Sequence, residues 1–161
     1  MKPVPRQVMT DPVHLLAFGF GAGLSPVAPG TAGTLATIPL VAASWLLPVL
    51  PRAAIGVLLL VAGVWICGVS ARKLGVHDHG GIVFDEIAGF YLLMLVLPAG
   101  WLWMAAGFLM FRLFDIVKPW PIGMLDRRVG GGLGIMLDDV AAALSAAAAL
   151  LLGKAAWMTL A

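Results

Sequence analysis

The sequence has 161 residues, of which 61% are hydrophobic and 11% are charged, and its mean hydropathy is +1.03. Soluble domains have about 45–50% apolar and about 25% charged residues, so this composition excludes an ordinary soluble domain and predicts one integral membrane domain over residues 1–161. The net charge of +2 is too small to indicate nucleic acid as a partner, and a single cysteine, Cys67, excludes an internal disulfide and a four-cysteine metal site.

The first 11 residues are polar and contain prolines, and we expect them to form a short cytoplasmic tail. Asp11 and Pro12 predict a helix start, with aspartate as the N-cap and proline at the first helical position. The apolar segment 13–23 is shorter than the roughly 20 residues of a membrane span, so we predict a short helix at the interface or against the bundle. We expect no signal-peptide cleavage, because Asp11 and Pro12 interrupt the segment between the basic N-terminal residues and the apolar run. Pro29 also directly follows the plausible cleavage point.

Five apolar runs follow, and they predict an all-α, polytopic membrane bundle of about five transmembrane or membrane-embedded helices. Most runs are apolar on every face, as is typical of helices in lipid. The third and fourth runs are short and can form a hairpin instead of two spans. The runs cover residues 35–50, 53–70, 87–97, 101–111 and 135–152.

The basic residues predict the orientation of this bundle. With five spans and a cytoplasmic N-terminus, eight of the ten lysines and arginines lie inside, as the positive-inside rule requires. Only Arg52 and Lys154 lie outside. The same topology brings the loop 25–34, the turn around His77 and the segment 118–128 to the cytoplasmic face.

Two acidic pairs stand near the heads of apolar helices on this face. Asp85 and Glu86 directly precede the apolar run 87–97. Asp138 and Asp139 follow a glycine cluster and lie at the head of the apolar run 135–152. One pair can simply complement a helix dipole, but two pairs on one face are harder to explain in that way. Oxygen-rich clusters suit Mg²⁺, and the sequence lacks the cysteine and histidine spacing that favours zinc.

A third group of charges surrounds a predicted helix end. Arg112 and Asp115 share a helix face, and Pro119 predicts that this helix ends near Lys118. Arg112 can be a surface anchor paired with Asp115, or it can grip phosphate in a fork while Asp115 orients it or binds metal. Lys118 and Arg127 can attract anionic lipid or contact a substrate.

The loop 25–34, with the sequence SPVAPGTAGT, can cradle phosphate through backbone N–H groups and the hydroxyls of Ser25, Thr31 and Thr34. Thr31 or Thr34 can equally serve only as a cap of the next helix. Three further polar residues can bind metal or satisfy a turn, and for the histidines we favour the turn: His77, Asp78 and His79.

Other phosphate chemistries lack their motifs in this sequence. We find no Walker loop, and four residues rather than five separate Cys67 from Arg72, unlike the loop of cysteine phosphatases. The spaced acidic set of the CDP-alcohol phosphotransferases is also missing.

Three long motifs, in order, resemble the bacterial phosphatidylglycerophosphatase A family. They are GFGAGLSPVAPGTAGT at 19–34, GVHDHGGIVFDE at 75–86 and FRLFDIVKPWPIGMLDRRVGGGLGIMLDD at 111–139. The resemblance implies a Mg²⁺-dependent phosphatase of the bacterial inner membrane, which removes the terminal phosphate from phosphatidylglycerophosphate to give phosphatidylglycerol. Gly130 stands where some members have histidine, and Phe84 where some have tryptophan, so we expect no essential histidine at position 130.

Residues and resemblance together predict an active site at the cytoplasmic surface, with membrane lipids around it. We assign Mg²⁺ binding to Asp85, Glu86, Asp138 and Asp139. We assign catalysis to Asp85, Glu86, Asp115 and Asp138. We assign substrate binding to Ser25, Thr31, Thr34, Arg112, Lys118 and Arg127.

Two other functions remain open at this point. A CDP-alcohol-type membrane phosphotransferase would also use acids and metal, but it would require a nucleotide-linked substrate. A small membrane transporter would need polar groups midway along its helices, where this sequence has almost no charge.

Overall fold

The computed structural model of the protein describes residues 5–76, 79–120, 122 and 129–160. These ranges are helical and contain no strand, so the predicted all-α class is confirmed. The elements are α1 (Pro5–Thr10), α2 (Pro12–Ala17), a 3₁₀ segment (Gly19–Leu24), α3 (Pro29–Ser44), α4 (Val49–Leu74), α5 (Phe84–Val96), α6 (Trp101–Val117) and α7 (Gly131–Leu160).

The N-terminal region is more structured than the predicted tail. Residues from Pro5 form α1, and Val8 is completely buried. The predicted start of α2 is confirmed, because Asp11 Oδ1 accepts a hydrogen bond from the Val13 N–H at 2.9 Å. The Lys73 ammonium donates to the other Asp11 oxygen at 2.6 Å and thereby lowers the pKa of Asp11. This contact ties α2 to the last turn of α4.

Replacing Asp11 by alanine should loosen α2, because the helix loses its cap and its ion pair with Lys73. N-cap replacements of this kind cost about 0.5–2 kcal/mol. We expect faster amide exchange at Val13 and His14, measured by hydrogen exchange of the purified protein. Asp11→Asn keeps the cap acceptor and should exchange more slowly than Asp11→Ala. Because the pKa of Asp11 is lowered in the folded state, the ion pair should also be lost as the pH falls through that lowered value. Equal exchange in both variants would contradict the capping role.

Helix α3 begins earlier than the sequence predicts, at Pro29 rather than after Thr34. Proline suits the first helical position because its φ angle is preset and it lacks the N–H that would stay unpaired there. Ala28 precedes it with φ of 49°, and no side chain caps the helix. The alternative role of Thr31 or Thr34, as the cap of this helix, is therefore wrong. The Thr34 hydroxyl instead donates to the Gly30 carbonyl within the helix, at 2.9 Å.

The break between α3 and α4 also differs from the predicted one at Pro51 and Arg52. The chain turns before Pro48, which precedes α4, and Pro51 lies in the first turn of that helix. The first four N–H groups of a helix have no intrahelical partner, so proline costs little there.

Two helices, α4 with 26 residues and α7 with 30, are long and apolar enough to cross a membrane. Helices α3, α5 and α6 have 16, 13 and 17 residues. At 1.5 Å per residue they reach roughly 20–26 Å, less than the hydrocarbon core of about 30 Å. The described residues therefore support two spans by length, and five full spans are not confirmed.

Helix α7 packs against α4, α5 and α6 and forms the centre of the bundle. It begins at Gly131, so Gly131, Gly132 and Gly134 lie inside its first turns. A Cβ atom on Gly132 would lie 1.9 Å from the Val64 carbonyl oxygen, which shows how closely α7 and α4 approach. Glycines at such a contact let two helix backbones meet. The early start places Asp138 and Asp139 in the third turn of α7.

Candidate active site

The acidic residues of α5, α6 and α7 meet at one end of the bundle. Asp85 and Glu86 occupy the first turn of α5, as predicted. Gly89 lies one turn further along α5, and a Cβ atom at that position would be 3.1 Å from the Asp139 Cβ atom of α7. The negative charges of Glu86 and Asp115 also act on Asp139. The predicted meeting of the two acidic pairs is thus present in the structure.

We call this group the carboxylate cluster, and it consists of Asp85, Glu86, Asp115, Asp138 and Asp139. One carboxylate oxygen from each of Asp115, Asp138 and Asp139 lies within 4.8 Å of the others. Asp139 is only 2% exposed. Asp115 therefore lies beside the predicted metal ligands Asp138 and Asp139, because α6 ends next to the third turn of α7.

Several oxygens of the carboxylate cluster are buried without a hydrogen bond. They include Oδ1 of Asp85, Oε2 of Glu86 and Oδ1 of Asp139. A buried charge normally has a partner or coordinates a metal, because its transfer from water is costly. Neighbouring like charges add to this cost, so the cluster is suited to a cation that supplies the missing contacts.

Arg112 is the main basic group beside the carboxylate cluster. Its Nη1 atom lies 2.6 Å from Asp115 Oδ2 and 3.7 Å from Glu86 Oε1, and its side chain is 13% exposed. The predicted shared helix face of Arg112 and Asp115 is confirmed by this contact. The guanidinium is held from two sides, which limits its rotation and fixes where its remaining donors can reach.

Lys118 stands at the end of α6, where the sequence predicts the helix to stop. Its φ angle is 43°, a left-handed value that ends the helix and turns the chain. Its ammonium group contacts Asp138 Oδ2 at 2.5 Å. Lys118 is thus adjacent to the carboxylate cluster, and its predicted contact with substrate stays a prediction.

The first turn of α3 reaches the same place through Gly30, which is not among the predicted site residues. A Cβ atom on Gly30 would lie 2.0 Å from Glu86 Oε1 and 3.0 Å from Arg112 Nη2. Gly30 therefore lets the N-terminus of α3 approach both side chains. The Pro-Gly pair is a visible signal in the sequence, but only the tertiary contact gives it this meaning.

The predicted hydroxyl residues have different environments. Thr31 is half-buried in the first turn of α3, near Gly30. Ser25 donates to the Val27 carbonyl at 2.8 Å, and Thr34 is completely buried with its hydroxyl on Gly30. Their roles in substrate binding stay predictions, and Thr31 directly follows Gly30, whose Cβ position lies beside Arg112.

Three selected residues lie outside the described part of the chain: Arg127, His77 and Asp78. His79 is described, and its Nδ1 atom accepts a hydrogen bond from the Gly81 N–H at 3.0 Å. Its ring also lies 5.7 Å from that of Phe18. These contacts fit the turn interpretation of His79.

Comparison with known protein families shows to which family a chain with this site belongs. A family model described as phosphatidylglycerophosphatase A matches residues 15–154, which include all of the carboxylate cluster and Arg112. The chain belongs to the phosphatidylglycerophosphatase A family. The resemblance seen in the three sequence motifs is therefore confirmed.

Relatives in this family are similar over most of their length. A phosphatidylglycerophosphatase A from Escherichia coli K12 is 49% identical over 138 residues, covering 85% of this chain and 80% of the relative. One from Haemophilus influenzae is 43% identical over 146 residues, covering 89% and 90%. A relative from Bacteroides thetaiotaomicron, named provisionally as a phosphatidylinositol-3-phosphatase, is 40% identical over 136 residues, covering 80% and 84%. No solved structure matches the chain.

Proposed function

We propose that the protein is a Mg²⁺-dependent lipid phosphatase that hydrolyses the terminal phosphate monoester of phosphatidylglycerophosphate. The products are phosphatidylglycerol and inorganic phosphate. The observation that carries this proposal is the buried carboxylate cluster beside Arg112 at one end of an apolar bundle. Such a site combines carboxylates for a divalent ion with a donor for phosphate oxygens.

The chemistry of the donor set fits Mg²⁺. Carboxylate oxygens are its preferred protein ligands, and Asp85, Glu86 and Asp139 present buried oxygens that accept no hydrogen bond. Asp138 and Asp115 would complete the set, with Lys118 and Arg112 as their neighbours. When bound, Mg²⁺ supplies charge neutralisation for the phosphoryl oxygens and lowers the pKa of a bound water.

The chain's own residues would then bind and orient the substrate. Arg112 would donate to two phosphate oxygens, and its contacts with Asp115 and Glu86 would hold it in that orientation. Thr31 and the first N–H groups of α3 would face the same phosphate, since Gly30 lies against Arg112. Lys118 and Arg127 would contact the glycerol-phosphate headgroup. Asp115 would assist as a ligand or as a base.

Charge distribution supports a cytoplasmic position for the site in the bacterial inner membrane. Arg52 donates to the Met94 carbonyl, near the end of α5 opposite to Asp85. Lys154 lies over the Trp103 ring, near the beginning of α6 and far from Arg112. These are the two basic residues that the topology places outside, so the other end, with the carboxylate cluster, would face the cytoplasm.

Phosphate release from phosphatidylglycerophosphate tests the proposal directly. We expect the purified protein to release phosphate with Mg²⁺ and to lose at least about 99% of that rate with a chelator, because charge stabilisation of this reaction is large. Phosphatidylinositol 3-phosphate should react more slowly, and no nucleotide should be needed. Release that is equally fast with chelator present would refute the metal dependence, and a preference for the inositol lipid would refute the substrate.

A further inference from the structure

A lateral groove of about 320 Å³ lies between α3 and α6. The two helices touch little, so the groove opens to the surface of the bundle. Its lining is apolar and includes Leu35, Ile38, Trp101, Ala105, Phe108 and Leu109. A soluble protein would rarely expose such a surface without a partner, and in a membrane it faces lipid.

The spacing of the lining residues along α3 and α6 places one end of this groove beside the active site. Residues three or four apart lie on one helix face, so Phe108 and Leu109 stand one turn below Arg112 on α6. By the same rule Leu35 stands one turn below Thr31 on α3. The head of the groove therefore lies between Arg112 and Thr31, where Gly30 brings the two helices to the carboxylate cluster.

Trp101 lines the far end of the groove. Trp101 lies edge-on to Trp45, with ring centroids 5.5 Å apart and planes at 74°. Leu109 and Trp101 are eight residues apart, which corresponds to about 12 Å along α6. This length is close to half of a hydrocarbon core of about 30 Å. The groove therefore runs from the charged site to about the depth of one leaflet.

We propose that this groove holds one acyl chain of the lipid substrate while the headgroup phosphate lies at Arg112. The proposal rests on the proposed function, since it names how the same site receives a membrane-embedded substrate. A lipid phosphate can reach the site only if its chains stay in apolar surroundings. The groove provides such surroundings on the two helices that carry Thr31 and Arg112. The test has two competing outcomes, in which either bulk lipid or a second copy of this chain occupies the groove.

Ala105→Phe tests the groove by filling its middle. We expect the KM for long-chain phosphatidylglycerophosphate to rise about tenfold, since losing two buried methylenes corresponds to that change. The KM for the dihexanoyl lipid should change less than about twofold, because its chains end above Ala105 and lose no buried methylene. Ala36→Phe is the control at matched depth, because Ala36 is exposed on α3 and does not line the groove.

Trp101→Ala provides a second variant if Ala105→Phe does not fold. It removes the far wall, so we expect a shift of the preferred acyl length towards longer chains, and an unchanged preference would refute the proposal. Equal KM changes for long and short lipids, or equal effects of Ala36→Phe, would mean that only bulk lipid fills the groove. Loss of a dimer in Ala105→Phe, seen by light scattering with corrected detergent mass, would assign the groove to a second copy.

Photolabelling separates this proposal from the proposed function. The probe is phosphatidylglycerophosphate with a diazirine in its acyl chain, and we expect labelled peptides from α3 and α6. Excess unlabelled probe lipid should compete, whereas phosphatidylcholine should not. If the wild-type protein releases no phosphate from any lipid, the proposed function fails. Labelling that phosphatidylcholine displaces equally would refute the groove, whatever the activity.

Discussion

Replacing Asp139 by asparagine should lower phosphate release by about a thousandfold and leave the fold intact, since losing one preorganised electrostatic contact in an active site costs this much. Asp139 is 2% exposed, lies on the central helix and sits among the other acids of the carboxylate cluster. Asparagine has nearly the same shape but no charge, so the site loses a proposed ligand for Mg²⁺. The like-charge repulsion decreases at the same time, and the free energy of unfolding should not fall.

The measurement for Asp139→Asn is kcat for phosphatidylglycerophosphate, together with thermal unfolding in the same detergent. Asp11→Asn is the matched control, because it makes the same chemical change at the N-cap of α2, outside the site. Binding of Mn²⁺, followed by electron paramagnetic resonance, should weaken in the site variant and stay normal in the control. An Asp139→Asn protein with most of the wild-type rate would remove this residue from the mechanism.

Local signals in the sequence predicted the parts of the site that depend on local structure. Asp11 and Pro12 marked the start of α2, and Pro119 marked the end of α6 near Lys118. The spacing of Arg112 and Asp115 predicted their contact. Each of these features is decided within one or two helical turns, so neighbouring residues contain the necessary information.

Features that depend on contacts between helices were predicted less well. The last apolar run was predicted from residue 135, but α7 already begins at Gly131, where Gly132 packs on the Val64 carbonyl. The Ser25–Thr34 segment suggested a loop, but Pro29 starts α3 within it. Glycine has a low helix propensity, and tertiary packing overrides that preference in both places.

The number of membrane spans could also not be predicted from the pattern of apolar residues. Apolar runs predict burial or lipid contact, but they do not tell which of the two a given face has. Helix α5 is apolar after its first turn and has only 13 residues, with Phe90, Tyr91 and Leu93 buried inside the bundle. Such a helix passes a composition test for membrane helices without having the length of a span.

Gly30→Ala should lower kcat/KM for the lipid by about a hundredfold, because small misplacements of catalytic groups can cost that much. The new Cβ would lie 2.0 Å from Glu86 Oε1 and 3.0 Å from Arg112 Nη2. Both atoms are the ends of flexible side chains, so they can move away without unfolding the backbone. Alanine also favours helix over glycine, and α3 should be at least as stable as before.

Two further variants show whether the loss comes from Glu86. Gly153→Ala makes the same change in α7, where a Cβ would meet nothing within 4 Å, and it should keep the wild-type rate. Glu86→Asp shortens the acid by one methylene, so adding it to Gly30→Ala should restore part of the lost activity, although it lowers activity by itself. This non-additive result is expected only if the two residues act through direct contact. Strict additivity in the double-mutant cycle would show that Gly30 serves the site in some way other than by leaving room for the Glu86 carboxylate.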